Sequence, residues 1–240
     1  MTRNAIVFGA TSGIGRALSQ LLVQDGYKVL ITGRRLERLE SLQATAPDSY
    51  VIRQHDITDV DDTGRLIEEL PSTMGQVDLI IHNSGIGENN FDLEWEKDLP
   101  TLKTNVIGAA RVYQLAYNYF KIQGHGHLVG ITSIASLVGN RLVPAYHASK
   151  SFQSNYLESL WMKAKRTKKA KIQVTDILPG YVDTDIITGD TFWMATLDKA
   201  SRQIYAGIKK KKRRVYITRR WGLVALMIRI LPPGILVKYF

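Results

Sequence analysis

Tyr146 and Lys150 stand four residues apart in a stretch that reads as helix, so their side chains share one face about a turn from each other. A free phenol ionises near pH 10, too high for ready proton exchange at neutral pH. A neighbouring ammonium favours phenolate, so this spacing predicts a Tyr146 with a lowered pKa that serves as general acid or base. His147 lies between the two, but one step along a helix turns a side chain about 100° away, and it is read as structural. Taken singly, a tyrosine in a chain of eleven tyrosines is more often packing, and a lysine is more often a solvated charge. The pair gains weight from a second feature far upstream. Gly9, Gly13 and Gly15 punctuate Phe8-Gly-Ala-Thr-Ser-Gly-Ile-Gly, between an apolar run and a helical one. Such a turn, with Thr11, Ser12 and Ile14 in it, lets backbone amides and the helix dipole hold a pyrophosphate. A tight packing turn is the duller alternative.

The element pattern agrees. Strands are expected at Asn4–Phe8, Lys28–Thr32, Tyr50–Arg53, Val77–Ile81, His127–Ile131, Ile172–Ile177 and Val215–Thr218. Helices are expected at Gly13–Gln24, Leu36–Ala44, Val60–Leu70, Lys97–Phe120, Ala145–Lys165 and Thr191–Ile208. Strict alternation, with several of the strands apolar throughout, predicts one doubly wound Rossmann-type α/β domain with a mostly parallel sheet of about seven strands. The domain is expected over residues 1–218, with a basic and apolar extension over 219–240. A hydrophobic content of 45% in 240 residues is enough for such a core. The apolar run at the N-terminus is read as the first strand, because it is too short for a secretory segment.

The second expected strand ends Thr32-Gly33-Arg34-Arg35. An NAD site usually carries an acid here for the ribose hydroxyls. Two guanidiniums instead suit a 2′-phosphate, and two cations at a helix start oppose its dipole unless an anion balances them. The expected cofactor is therefore NADP(H). Cysteine is absent, which removes thiol chemistry and fits a reducing, cytoplasmic setting. His125 and His127 lack further ligands at suitable spacing, so no metal is expected.

With these residues in place, the chain resembles the short-chain dehydrogenase/reductase family from residue 4 to about residue 185. Besides the glycine turn, Asp56 and Ile57 resemble the family's adenine-side segment, and Asn83, Ser84 and Gly85 its Asn-Ala-Gly segment, which here begins with His82. Pro179, Gly180, Val182 and Thr184 resemble its nicotinamide-side turn. Asn105, Ser133, Tyr146 and Lys150 match its active-site set, with thirteen positions from Ser133 to Tyr146. The resemblance implies hydride transfer between nicotinamide and a carbonyl or alcohol. In it Tyr146 handles the proton, Ser133 binds the substrate oxygen, Lys150 holds the ribose, and Asn105 orders a water that links the lysine to solvent. It also implies a dimer or tetramer. The second reading is a regulatory or scaffold protein that binds the cofactor without turnover.

The end of the chain differs in charge. No acid follows Asp198, whereas twelve Lys and Arg do, against a net charge of +10 for the whole. Lys209–Arg214 is a basic block, and Trp221–Leu231 is apolar apart from Arg229 and precedes Pro232-Pro233. Eleven helical residues reach about 16 Å, half a bilayer core, so a spanning segment is not expected. A helix lying in a membrane surface, with Tyr239 at its edge, is one expectation; packing on the domain or on a second subunit is the other. Nucleic acid is not expected, because no recognition motif accompanies the charge. Phe192, Trp193 and Met194, in the segment Asp185–Thr196, suggest an apolar substrate or a core cluster with equal weight.

Overall fold

The computed structural model describes residues 3–184 and 193–239, apart from the side chains of Arg229, Pro233, Lys238 and Tyr239. Seven strands alternate with helices: β1 (Arg3–Phe8), β2 (Tyr27–Gly33), β3 (Tyr50–Gln54), β4 (Leu79–His82), β5 (His125–Ile131), β6 (Lys171–Pro179) and β7 (Arg214–Ile217). They form one sheet in the order β3-β2-β1-β4-β5-β6-β7, and every pairing is parallel. Parallel neighbours need crossovers, and helices supply them on both faces, which is why the central strands β1 and β4 are buried and largely apolar on both sides.

Successive residues of β1 show this division. Ile6 and Phe8 join a core with α3 (Val60–Glu68), α6 (Ala109–Gln123) and α7 (Pro144–Arg166), to which Leu66, Tyr113, Phe120 and Leu157 contribute. Ala5 and Val7 face the other layer. There Leu18 and Leu22 of α1 (Gly13–Gln24), Leu39 and Leu42 of α2 (Leu36–Gln43), and Ile204 and Ile208 of α8 (Leu197–Lys209) close the core. Because the strand order reverses between β1 and β4, the loops leaving their C-terminal ends diverge and open a crevice there.

Three local outcomes differ from the sequence expectation. Between Leu70 and Thr73 the chain makes a short helix, α4, because Pro71 ends the run of α3. The long helix expected over Lys97–Phe120 is α5 (Trp95–Leu102), a π-helical stretch over Lys103–Gly108, and then α6. Pro100 removes one amide, and Gly108 lies so close to the Ile57 carbonyl that a Cβ would stand 2.5 Å from it, so the helix is re-aimed where it passes β3. The helix expected from Thr191 is described only from Leu197, with Thr196 as its cap accepting the Lys199 amide; Thr191 itself lies outside the described residues. After β7 the apolar stretch forms α9 (Arg219–Ile230) and the chain continues as α10 (Pro233–Tyr239).

Candidate active site

All seven strands point the same way, so their C-terminal ends deliver loops to one edge of the sheet. The residues singled out in the sequence fall there in succession: Gly9–Gly15 after β1, Arg34 and Arg35 after β2, Asp56 and Ile57 after β3, Asn83–Gly85 after β4, Ser133 after β5, and Gly180–Thr184 after β6. Apart from Gly15, which packs against the Gly9 carbonyl, the predicted residues among them border one cleft of about 410 Å³ that also includes Tyr146, Lys150 and Pro179.

Its floor is the glycine turn. Gly9 adopts φ +82°, and a Cβ on it would stand 2.8 Å from the Ser84 amide, so the β1 and β4 loops touch only because this residue is glycine. A Cβ on Gly15 would lie 2.1 Å from the Gly9 carbonyl. That carbonyl also accepts a 2.9 Å bond from Asn83 Nδ2, which pins the two loops together across the crevice. At the start of α1, Ser12 makes no side-chain cap and the first turn holds no acid. The positive helix end is therefore left to whatever lies in the cleft.

The adenosine side carries the guanidiniums. Arg35 Nη2 donates to Thr11 Oγ1 at 2.7 Å and to Ser12 Oγ at 3.1 Å, so this cation leans over the glycine turn. The Arg34 charge lies near Asp56. Burial alone would raise the Asp56 carboxyl, but bonds from the Thr58 amide and hydroxyl, together with Arg34, bring it below its ordinary value. A bare helix N-terminus, a glycine floor and two cations at the far end fit the chemistry of a phosphorylated dinucleotide.

At the other end, Tyr146 and Lys150 rise from the first turns of α7. The Lys150 ammonium lies 5.8 Å from the centre of the Tyr146 ring. Tyr146 is half-buried, and its ring lies against Gly87, where a Cβ would come within 2.6 Å of it. Ser133 hydrogen-bonds the Tyr146 phenol and caps a short 3-10 turn by accepting the Ala135 amide at 3.1 Å. The expected lowering of the Tyr146 pKa counted on the ammonium and on a positive nicotinamide ring together; in the cofactor-free chain the shift is upward. Burial pushes the phenol up, the Ser133 bond opposes this in part, and the Tyr181 charge adds to it. Lys150 is also buried, which brings its pKa down to about 8 even though the Asp176 charge acts in the opposite direction.

Asn105 is wholly buried in the π-helical stretch. Its Oδ1 accepts the Ile86 amide at 3.0 Å, and its Nδ2 donates to the Ile86 carbonyl at 2.7 Å and to Ser149 Oγ at 3.0 Å. It thus fixes the β4 loop beside Lys150, whose ammonium donates to the Ile131 carbonyl at 3.1 Å. His147 points away from Tyr146's partners: its Nδ1 meets the Val138 carbonyl at 2.6 Å. His125 and His127 bond to Gln123 and Thr175, and among the described residues no group of three or more potential metal ligands comes together.

Sequence reasoning missed several contributors. Gln153 is buried and bonds both Lys150 and the Asn105 carbonyl. The positions 146, 150 and 153 follow the helical stripe i, i+4, i+7, a spacing that could have revealed it. Gly87 and Asp176 had no local signal, because what places them is the approach of the loop after β4 and of β6 to α7. Trp221 of α9 was also missed. Its indole fills the space over Gly180, where a Cβ would lie 2.1 Å from it, and it meets Tyr181 edge-on at 5.5 Å. Of the aromatic segment, Phe192 lies outside the described residues, while Trp193 and Met194 are partly exposed.

Residues 3–193 match the family model described as short chain dehydrogenase. An oxidoreductase of Myxococcus xanthus is 36% identical over 200 residues, covering 81% of this chain and 78% of its own. The fold is similar to that of a short-chain dehydrogenase from Sphingobium yanoikuyae solved with NADPH, with a TM-score of 0.82, 18% identity and 92% of each chain covered. It is equally similar to a short-chain dehydrogenase/reductase from Burkholderia phymatum solved with NAD, with a TM-score of 0.82, 16% identity and 93% and 92% of the two chains covered. With its parallel sheet, its glycine floor and its Tyr146–Lys150 pair all in one cleft, the chain belongs to the short-chain dehydrogenase family and is an oxidoreductase with a nucleotide-binding fold.

Proposed function

We propose that the protein is an NADP(H)-dependent carbonyl reductase or alcohol dehydrogenase. The observation that carries this reading is the convergence of Tyr146, Ser133 and Lys150 with the glycine floor and both guanidiniums on one cleft. Similar folds hold NADPH in one case and NAD in another, so the fold leaves the choice to local residues. Arg34 and Arg35 favour the 2′-phosphate by charge and fork geometry. The amides of Gly9–Gly15 would hold the pyrophosphate, with Asp56 and Ile57 beside the adenine and Asn83, Ser84 and Gly85 along the middle of the cofactor. Pro179, Gly180, Val182 and Thr184 would border the nicotinamide.

The cofactor, when bound, supplies or accepts the hydride. The chain handles the proton. In reduction Tyr146 donates its phenolic proton to the substrate oxygen, while Ser133 donates a hydrogen bond to the same oxygen as negative charge grows on it. Burial keeps the phenol protonated, the state a donor needs, but also makes it a weaker acid, so the transfer is driven by the negative charge that grows on the substrate oxygen. Lys150 holds the ribose hydroxyls and provides the positive charge beside Tyr146. The test is a panel of carbonyls and alcohols assayed with both cofactors. Turnover with NADPH well above NADH supports the reading, and cofactor binding without any turnover supports a scaffold role instead.

A second reading concerns residues 219–240. Trp221, Ala225 and Ile228 face the domain, whereas Leu223, Leu226, Met227 and Ile230 are exposed on the opposite side of α9. A helix apolar on both sides has a further partner. We infer that this outer face meets an anionic lipid surface, with Arg219 and Arg220 at headgroup level. Lys210–Lys212 precede β7 and α9 follows it, so that part of the basic block stands at the opposite end of the strand. Among the described residues no helix is long and apolar enough to cross a membrane.

A further inference from the structure

Lys150 is almost wholly enclosed, and a buried ammonium needs acceptors. Two are present. One is the Ile131 carbonyl at 3.1 Å, at the end of β5. The other is Gln153 Oε1 at 3.2 Å, one turn along α7. The same carboxamide extends further: Gln153 Nε2 donates to the Asn105 carbonyl at 2.8 Å. Only one orientation of this amide satisfies both neighbours. The ammonium can only donate and the carbonyl can only accept, so the oxygen must face Lys150 and the nitrogen must face Asn105. Gln153 has no exposed surface, and these two bonds are the hydrogen bonds its side chain makes among the described residues.

We propose that Gln153 is a positioning residue for Lys150, a hydrogen-bonded link that sets the place and the charge of the ammonium by anchoring it to the backbone of Asn105. The role in turnover rests on the reading of Lys150 and Tyr146 given above; the effect on the ammonium does not. Through Asn105 the link continues to the Ile86 backbone and to Ser149, whose hydroxyl donates to the Tyr146 carbonyl at 2.7 Å. One closed set of bonds thus spans the π-helical stretch, the β4 loop and the start of α7, and the ammonium is part of it. Such a loop resists the displacement of any one member.

The charged and titratable groups around Lys150 come from three elements. His82 of β4 is buried and held neutral, its pKa brought down to about 3 by burial first and by the Lys150 charge second. Asp176 of β6 is close enough to raise the lysine. Tyr146 of α7 presents its ring at 5.8 Å. Asp176 is already engaged by Thr132 and Ser154, both at 2.6 Å, and by Arg214 at 3.3 Å. Gln153 is therefore the side chain that bonds the ammonium directly, and its acceptor oxygen stabilises the charged form. Removing that oxygen makes the ammonium easier to deprotonate. Replacing the amide with a carboxylate does the reverse.

The experiment follows the titration of Lys150 itself, in cofactor-free protein carrying ¹³C-labelled lysine, with the Lys150→Met spectrum identifying the resonance. Gln153→Leu should lower the midpoint by about one pH unit and Gln153→Glu should raise it by a similar amount. Gln153→Met, closer in shape, takes the place of Leu if that variant does not fold. In the enzyme assay the alkaline limb of kcat should move the same way in each variant, with the carbonyl KM little changed. A purely structural residue would lower stability in both variants and shift neither midpoint. Midpoints unmoved in the folded variants would overturn the proposal. Opposite shifts in an enzyme that reduces no carbonyl would uphold Gln153 and remove the catalytic reading instead.

Discussion

Lys150 and Tyr146 face each other at 5.8 Å, and burial moves both towards their neutral forms, the phenol upwards and the ammonium down to about 8. The lysine therefore does not act on an otherwise ordinary tyrosine. Each group lies in a site that disfavours its charge, and the anions nearby, Asp176 now and a bound phosphorylated cofactor in use, decide how much charge Lys150 keeps.

This gives a pH dependence of stability with a definite sign. The unfolded chain holds the Lys150 proton up to about 10.4, whereas the folded chain releases it near 8. Between those values the unfolded state binds more protons, so raising the pH favours the native state. The cost of burying the charge is complete below about pH 8 and fades above it. Relative to Lys150→Met, the cofactor-free parent should thus gain melting temperature between pH 7 and pH 9.5. A difference that stays flat, or falls, would contradict the burial of a charged lysine.

Cofactor choice is expected to reside in Arg34 and Arg35. Replacing both with alanine removes two charge-assisted contacts of about 1.5–3 kcal/mol each to a phosphate. NADPH affinity should fall by about a hundredfold or more, while NADH affinity changes little. Fluorescence titration of both reduced cofactors checks this, and equal losses would remove the 2′-phosphate assignment.

The tail is expected to matter for the cofactor site as well as for any surface contact. Trp221 covers Gly180, so Trp221→Ala opens a void beside the nicotinamide-side turn. A buried aromatic truncated to alanine costs about 3–5 kcal/mol. The variant should melt lower and bind cofactor more weakly, as shown by thermal unfolding with and without NADPH. Unchanged melting would mean that α9 does not pack on the turn.

The outer face of α9 is testable without disturbing that packing. Leu223→Ser, Leu226→Ser and Ile230→Ser together change only exposed positions. Co-sedimentation with vesicles containing anionic lipid should fall several-fold while the melting temperature holds. Binding that survives the triple change would end the lipid reading.

Much of this was legible in the sequence for physical reasons. Strands buried on both faces read as unbroken apolar runs, as Ala5–Phe8 does, whereas Ile172–Ile177 carries Gln173, Thr175 and Asp176 and was legible only from its place in the alternation of strands and helices. The glycine floor was legible because few other uses need glycines at that spacing between a strand and a helix. What did not show were interactions made by packing. The π-helical stretch at Asn105 arises from contact with Ile57, and the contacts of Trp221 depend on β7 returning the chain to the cofactor end of the sheet. The burial that pushes the Tyr146 phenol up and the Lys150 ammonium down in the cofactor-free chain did not show either, because spacing on a helix gives neighbours but not enclosure.

The central claim is that the Tyr146 hydroxyl transfers the proton in a hydride-transfer reaction. The most direct measurement is NADPH oxidation with an accepted carbonyl, comparing the parent with Tyr146→Phe and measuring NADPH affinity in parallel. Loss of acid–base catalysis should lower kcat by about 10²–10⁴-fold while affinity stays within about twofold. A phenylalanine variant that turns over at the parent rate would contradict the account.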